Sequence, residues 1–322
     1  MLWSQRASLV RVGRGFSGLE GQVLPAIRAW RERSYPPGTR RGVVFGDSVV
    51  DWSGVRLGDL TSAELGARKV DTEFLTVSHP WMRPVQFYYL LDEVLAGKPQ
   101  VAVVEVDLRA FWRGWVDAPV LRAKSLSRLM SFRRAWRIRG TLGAEGLGLI
   151  DPAVFRMEER LGVLYLVDGV RELGRGAFER VGTRINASLR LPPPPPLRAG
   201  PLDAATARQW VDNDFAGHRS VIVVRELLRG LRESGVVTVL FVAPFDVERM
   251  SALGVLDEPA LSARIEALRA AVGASPEEWR DLHALVPSAE IRDSFMHLLI
   301  PGAERVAEAV GTALAPRLRA TR

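Results

Sequence analysis

Apolar residues along the chain gather into short, nearly continuous runs, and three of these predict buried strands. They lie within 41–52 (RGVVFGDSVVDW), 100–111 (QVAVVEVDLRAF) and 235–245 (GVVTVLFVAPF). Such runs are typical of parallel strands whose two faces are both covered. The stretch 69–80 (KVDTEFLTVSHP) predicts a further strand, and 278–287 (EWRDLHALVP) predicts a short strand or a loop.

Between these runs, apolar residues recur at the spacing of amphipathic helices. The clearest case is Pro84 to Ala96, which is followed by the helix-ending residues Gly97 and Pro99. Three more segments predict helices: Ser220 to Arg232, Pro259 to Val272 and Pro301 to Leu314. Strands that alternate with helices form right-handed crossover units. The expected fold is therefore α/β, a three-layer α/β/α sandwich with a mainly parallel sheet.

The regular alternation is interrupted between about residues 112 and 214. This stretch contains glycine-rich turns, a run of five prolines at 192–196 and a basic segment, Arg122 to Arg139. We interpret it as an insertion or cap on the domain. The expected organisation is an N-terminal extension over 1–40 and one α/β domain over 41–322 that carries this insertion.

Composition excludes several kinds of site. The chain has no cysteine, so disulfides, thiolate catalysis and cysteine-ligated zinc are ruled out. Its four histidines show no HExxH pattern, and the sequence calls for no metal and no organic cofactor. Gly13, Gly15 and Gly18 match the spacing of a dinucleotide-binding loop, but the segment before them is short and contains arginine. A plain glycine-rich loop is the favoured interpretation.

The formal net charge of +7 comes almost entirely from arginine. An excess of this size favours encounters with anionic surfaces and does not indicate a nucleic-acid-binding protein. The segment Arg122 to Arg139 suits either an anionic membrane surface or a lid helix with a solvated basic face. No apolar window is long enough to span a membrane, and the N-terminus lacks the apolar core of a signal peptide. The expected location is cytoplasmic or peripheral to a membrane.

The sequence Gly46-Asp47-Ser48 follows the first predicted strand directly. The carboxyl ends of parallel strands are where active sites of open α/β sheets lie. Ser48 is therefore a candidate nucleophile, and the alternative role for its hydroxyl is to cap the next helix. Asp47 is expected to bind turn amides rather than to take part in the chemistry.

Near the C-terminus, Asp293 and His297 lie four residues apart, just before a Pro-Gly helix start. If this segment forms one helical turn, the carboxylate can orient the imidazole, which can then deprotonate a hydroxyl. Asp281 and Glu290 are the substitutes if Asp293 points elsewhere. Such a pair needs a nucleophile from another part of the chain, and Ser48 is the candidate.

Together these segments resemble the SGNH, or GDSL-type, hydrolases. In that family the nucleophilic serine lies in an N-terminal Gly-Asp-Ser block, and an aspartate and a histidine lie together near the C-terminus. FGDSV and DSFMHLLIPG are similar to those blocks. The resemblance implies a flavodoxin-like sandwich in which Ser48, His297 and Asp293 act on esters.

The long insertion and the block VVEVDLR are similar to a subgroup of that family associated with O-acylation of cell-envelope polysaccharides. This resemblance implies an esterase or acyltransferase that acts on O-acyl groups, such as acetyl, of a carbohydrate. It also implies a membrane-bound acyltransferase as a partner.

The remaining family blocks depart from the pattern. Ser78 and His79 lie where a glycine of the oxyanion hole is usual, and Asp107 replaces an asparagine. A carboxylate there would repel a developing oxyanion unless it is protonated or turned away. Arg109 is expected either to neutralise Asp107 or another anionic group, or to form a surface ion pair. The oxyanion and substrate candidates are Gly46, Asp47, Ser78, His79, Asp107 and Arg109.

These departures leave a second interpretation open, in which the chain is a catalytically inactive SGNH-fold protein. It would keep the serine block for packing. Its aromatic and basic surface would bind a polysaccharide or a membrane partner in a polysaccharide-modification system.

Overall fold

The structure of the protein, a computed structural model, is built on a parallel sheet of five strands. It describes residues 18–52, 55–79, 82–111, 131, 134, 137–138, 204–292 and 296–321. The strands of the sheet are β1 (Arg40–Gly46), β4 (Thr72–Ser78), β5 (Val101–Val106), β6 (Val237–Val242) and β7 (Trp279–Asp281). They lie in the order β4-β1-β5-β6-β7. Between β1 and β4, the two-residue strands β2 (Asp51–Trp52) and β3 (Val55–Arg56) pair antiparallel.

Helices cover both faces of this sheet. They are α1 (Gly18–Glu32), α2 (Leu57–Ala67), α3 (Pro84–Leu95), α4 (Ala204–Val211), α5 (Ser220–Glu233), α6 (Val247–Ala252), α7 (Glu258–Val272) and α8 (Ile300–Ala320). Helices α2 and α8 pack against each other, while α1, α3, α5 and α7 form a separate connected group. Right-handed crossovers place the two groups on opposite faces. The predicted α/β fold with a parallel sheet between helices is confirmed.

The last helix is longer than the sequence predicts. The expected end was Leu314, but α8 continues through Pro316 to Ala320. Leu318, beyond the proline, is fully buried, and its carbonyl accepts a hydrogen bond from Arg40 at 2.7 Å. Tertiary packing of the last turn therefore outweighs the usual helix-breaking effect of proline.

Part of the expected N-terminal extension belongs to the core. Helix α1 begins at Gly18, and its Leu24 and Ile27 are buried in the main hydrophobic cluster. The extension predicted over 1–40 therefore contributes a helix to the domain. Gly13 and Gly15, the other two glycines of the motif discussed above, lie outside the described residues.

The strand order determines where a site can form. The order β4-β1-β5-β6-β7 corresponds to the 2-1-3-4-5 order of flavodoxin-like sheets, whose ligand crevice opens between the first and third strands. In this chain those strands are β1 and β5, which are paired with Phe45 opposite Val104. Ser48 and Asp107 follow these two strands at the carboxyl edge, so both lie at the predicted position of the crevice.

The structure describes only part of the insertion expected at 112–214. Helix α4 packs against the 3-10 turn Leu108–Phe111. Arg134 Nε donates to Asp92 at 2.5 Å and Arg137 Nη1 to Glu233 at 3.2 Å, so these two cations are paired with acidic groups of the domain. The proline run and the rest of the basic segment lie outside the described residues. No described helix combines the length and hydropathy of a membrane-spanning segment.

Candidate active site

Ser48 and His297 meet at the carboxyl edge of the sheet. Ser48 lies in the turn after β1 and is 7% exposed. His297 lies in the loop before α8, and its Nε2 is 3.0 Å from Ser48 Oγ. At this distance a proton can pass from the hydroxyl to the imidazole without rearrangement. Two residues that are 249 positions apart have the geometry of a nucleophile and its base.

Backbone hydrogen bonds join the described residues on the two sides of the segment that precedes His297. Ile291 and Leu298 form an antiparallel bridge, and the N–H of Arg292 donates to the His297 carbonyl at 2.7 Å. Residues 293–295 are not among the described residues, so the helical turn considered above stays a prediction. Asp293 is one of these three, and its role as the orienting carboxylate stays a prediction too.

The two carboxylates considered as substitutes for Asp293 bind other partners. Asp281 Oδ1 is 2.7 Å from His283 Nδ1. Glu290 accepts two hydrogen bonds from Arg305, at 2.8 and 3.0 Å. Neither carboxylate serves His297 in this structure, so the substitution is not observed.

Carboxyl groups fix the turn that holds Ser48. Asp47 Oδ1 accepts the N–H of Val49 at 2.8 Å, the local bond expected of an aspartate in a turn. Glu105 of β5 accepts the N–H of Asp47 through Oε2 at 2.7 Å. The amides on both sides of Ser48 are therefore bound. Among the described residues, the N–H of Ser48 itself meets no acceptor.

The close approach of Glu105 explains why residue 46 is glycine. A Cβ atom at Gly46 would lie 2.5 Å from Glu105 Oε2 and 2.5 Å from Val50 Cγ2. No side chain fits that space without displacing the carboxyl group. The glycine of the Gly-Asp-Ser block therefore has a packing role in this protein.

Asp107 and Arg109 form a buried ion pair beside the Ser48 turn. Arg109 Nε donates to both carboxylate oxygens of Asp107, at 2.8 and 3.1 Å, and Arg109 Nη2 donates to Asp47 Oδ2 at 2.7 Å. Arg109 is 8% exposed, so the expected surface ion pair is wrong and the alternative, neutralisation of Asp107, is observed. This contact also reduces the repulsion that an isolated Asp107 carboxylate would exert on a nearby oxyanion.

Three carboxyl groups lie around the Arg109 guanidinium. Burial raises the pKa of Asp107 to about 6, with Arg109 opposing the shift. Burial, and then the charges of Asp47 and Asp107, raise the pKa of Glu105 well above its ordinary value. Glu105 receives no hydrogen bond from Arg109, whereas the two aspartates do. Glu105 is therefore the group of this cluster that most favours the protonated form.

The raised pKa of Glu105 predicts a pH-dependent difference in stability between the wild type and Glu105→Gln. The folded state keeps a proton that the unfolded state releases near pH 4.5, so the wild type loses stability as the pH rises from there through the folded pKa. Glutamine cannot ionise. Within this pH window we expect the free energy of unfolding of Glu105→Gln to rise relative to that of the wild type by about 1.4 kcal/mol per pH unit. Urea unfolding from pH 4 to pH 9 measures the difference, and parallel curves would contradict it.

Ser78 and His79, two of the oxyanion and substrate candidates, have structural partners. Ser78 Oγ donates to Asp51 Oδ2 at 3.0 Å. The carbonyl of His79 accepts the N–H of Met82 at 2.9 Å. The Ser78 hydroxyl therefore ties the end of β4 to β2, a structural bond that the sequence did not predict.

Glu105 and Trp210 were not anticipated as parts of the site. The available signal for Glu105 was a single charged residue inside a strand buried on both faces, which must find a polar partner. Trp210 of α4 lies over Arg109, with its ring centroid 5.7 Å from Cζ. Arg109, Trp210, Phe245 and Met296 line a small pocket that also includes Asp107. No group of three or more potential metal ligands occurs in the described part of the chain.

Comparisons with known proteins add little to this geometry. No protein-family model matches the chain, and no curated protein matches it. Among solved structures, one similar chain is LAE5, an alpha/beta hydrolase enzyme from the metagenome of Lake Arreo, Spain. It is 11% identical with a TM-score of 0.36, and the alignment covers 85% of this chain and 94% of LAE5. A likeness this slight carries no argument about function.

Proposed function

We propose that the protein is a serine esterase or acyltransferase that acts on O-acyl groups. The observation that carries the proposal is the 3.0 Å contact between Ser48 Oγ and His297 Nε2 at the carboxyl edge of a parallel sheet. A serine that only caps a helix does not need a histidine from the far end of the chain. The finer assignment, acetyl groups on a carbohydrate, is supported by the long insertion and the block VVEVDLR, which are similar to the subgroup associated with polysaccharide O-acylation.

The reaction follows from the geometry of the pair. Ser48 Oγ attacks the ester carbonyl carbon while its proton passes to His297 Nε2. When the carbon–oxygen bond of the ester breaks, His297 returns that proton to the leaving alcohol. Water or a sugar hydroxyl then attacks the acyl-serine, gives its proton to His297 and releases the acid or the new ester. Ser48 recovers its proton in this last step.

The developing oxyanion needs hydrogen-bond donors. On this proposal the N–H of Ser48 is one of them; it is supported by the bonds of the neighbouring amides to carboxyl oxygens, which leave the Ser48 amide as the one without an acceptor among the described residues of this turn. Pairing with Arg109 reduces the negative field of Asp107 at this edge. A single oxyanion donor is worth about a hundredfold or more in rate, so this amide matters for turnover.

Labelling with a fluorophosphonate probe tests the proposal. Ser48 Oγ should bond to phosphorus, fluoride should leave and His297 should take the proton, because the pair is pre-aligned in the free protein. Intact-protein mass spectrometry should show one added phosphonyl group, and peptide mapping should place it on Ser48.

Ser48→Ala is the matched control and is expected to remain unlabelled. Correctly folded wild type that does not react would contradict an activated serine and would favour the inactive SGNH-fold protein as the alternative. Label found on another residue would contradict the assignment to Ser48.

A further inference from the structure

The backbone on both sides of the Ser48 amide is bound to carboxyl groups of different origin. Asp47 binds the following amide, that of Val49, within its own turn. The preceding amide, the N–H of Asp47, depends on a residue from another strand, Glu105 of β5. Glu105 therefore ties the backbone of the Ser48 turn to the sheet, while Arg109 binds the side chain of Asp47.

Glu105 is unusual among the carboxyl groups of this cluster. It is 2% exposed, and its Oε1 has no hydrogen-bond partner. The groups that face it are Asp47 after β1, and Asp107 and Arg109 after β5. Arg109 donates to the two aspartates and gives Glu105 no hydrogen bond. Within the described structure, Glu105 thus makes one hydrogen bond, to the backbone N–H of Asp47.

Neighbouring residues make room for that bond. Gly46 lets the carboxyl group reach the backbone, since a Cβ there would lie 2.5 Å from Oε2. The strand around Glu105 is otherwise apolar, with Val104 and Val106 buried. A buried polar group in such surroundings is costly to retain, and an apolar side chain of similar length would pack with less cost.

We propose that Glu105 is a positioning residue that holds the Ser48 backbone in its reactive geometry through the N–H of Asp47. The contact needs an uncharged acceptor oxygen and not a negative charge. Its catalytic consequence rests on the proposed function, whereas its effect on the backbone does not.

Glu105→Gln and Glu105→Met separate the acceptor from the side-chain volume. Glutamine keeps a carbonyl oxygen for the N–H of Asp47, and methionine fills a similar space without one. We expect Glu105→Gln to be labelled by the fluorophosphonate within about threefold of the wild-type rate at pH 7, and Glu105→Met to be labelled about tenfold or more slowly. Rates are expressed per folded molecule, with the folded fraction taken from urea titrations.

Backbone hydrogen exchange, followed by nuclear magnetic resonance, provides a readout that does not depend on activity. In Glu105→Met the amide of Asp47 should exchange about tenfold or more faster than in wild type, while Glu105→Gln keeps its protection. If wild type is not labelled at all, the proposed function fails, and this measurement still decides the role of Glu105.

Glu278 offers a control at a second buried carboxyl group that accepts a backbone amide. It is 7% exposed and accepts the N–H of Ser275 at 3.0 Å, in the turn before β7, and it also pairs with Arg232. Glu278→Met should lower stability without changing the labelling rate of the folded protein. The proposal is overturned if Glu105→Met behaves in the same way and leaves Asp47 exchange unchanged. It is also overturned if folded Glu105→Gln is labelled at less than about a tenth of the wild-type rate. This second outcome decides the case if Glu105→Met does not fold.

Discussion

His297→Ala is expected to lower kcat/KM for a small acetyl ester, such as p-nitrophenyl acetate, by about a thousandfold or more. The loss follows because alanine cannot take the proton that Ser48 must release, and an unassisted serine hydroxyl is a weak nucleophile. His297 is half-buried in a loop, so stability should change far less than activity. Steady-state rates with a parallel urea titration measure both effects.

Non-additivity is the sharper sign that the two residues act as a unit. The double variant Ser48→Ala/His297→Ala should be no slower than either single variant, because removing one member already disables the pair. His283→Ala is the control, since His283 is also buried but pairs with Asp281. A His297→Ala protein that keeps a tenth or more of the wild-type kcat/KM would rule out its role as base.

Arg109→Met should destabilise the fold by about 3–5 kcal/mol at neutral pH. Arg109 is 8% exposed and donates hydrogen bonds to Asp47 and Asp107. Methionine fills part of its volume but leaves two carboxylates buried without their cation, and these must then bind protons or reach water. Urea unfolding at pH 7 measures the loss, which should shrink as the pH falls below the raised pKa of Asp107, about 6.

Arg305→Met is the matched comparison for this prediction. Arg305 also bonds a carboxylate twice, that of Glu290, but its side chain is half exposed. Water can solvate the Glu290 carboxylate that remains after the substitution, so the urea midpoint should barely move. Equal losses of stability in Arg109→Met and Arg305→Met would show that burial does not increase the contribution of the Arg109 ion pairs to stability.

The central strands could be predicted because their signal is local. Runs such as VAVVEV have the composition that a strand needs when both of its faces are covered. The end of α8 could not be predicted, because Pro316 is a helix breaker on local grounds and only the buried Leu318 beyond it shows why the helix continues. The hairpin of β2 and β3 has two residues in each strand, too few for any periodic pattern.

The sequence predicted those parts of the candidate site that belong to a short motif. It did not predict the contacts that depend on which side chains are buried together. A contact between Ser48 and His297 could be expected because their segments resemble, in order, the N-terminal and C-terminal blocks of SGNH hydrolases. Arg109 was linked to Asp107, but a sequence cannot show that the pair is buried or that it also holds Asp47. Glu105 lies in a strand whose other residues are apolar. Its bond to Asp47 connects two segments that are far apart in the sequence, so no spacing between residues could predict it.

The separation of 249 residues between Ser48 and His297 has a consequence for the nascent chain. At typical rates of synthesis, Ser48 leaves the ribosome roughly 12 to 50 seconds before His297. During that interval the growing polypeptide carries the serine without the group proposed to activate it. On the proposed mechanism, an incomplete polypeptide that lacks His297 does not react with esters. Reactivity would then arise only after the segment that carries His297 has been synthesised and has folded against the Ser48 turn.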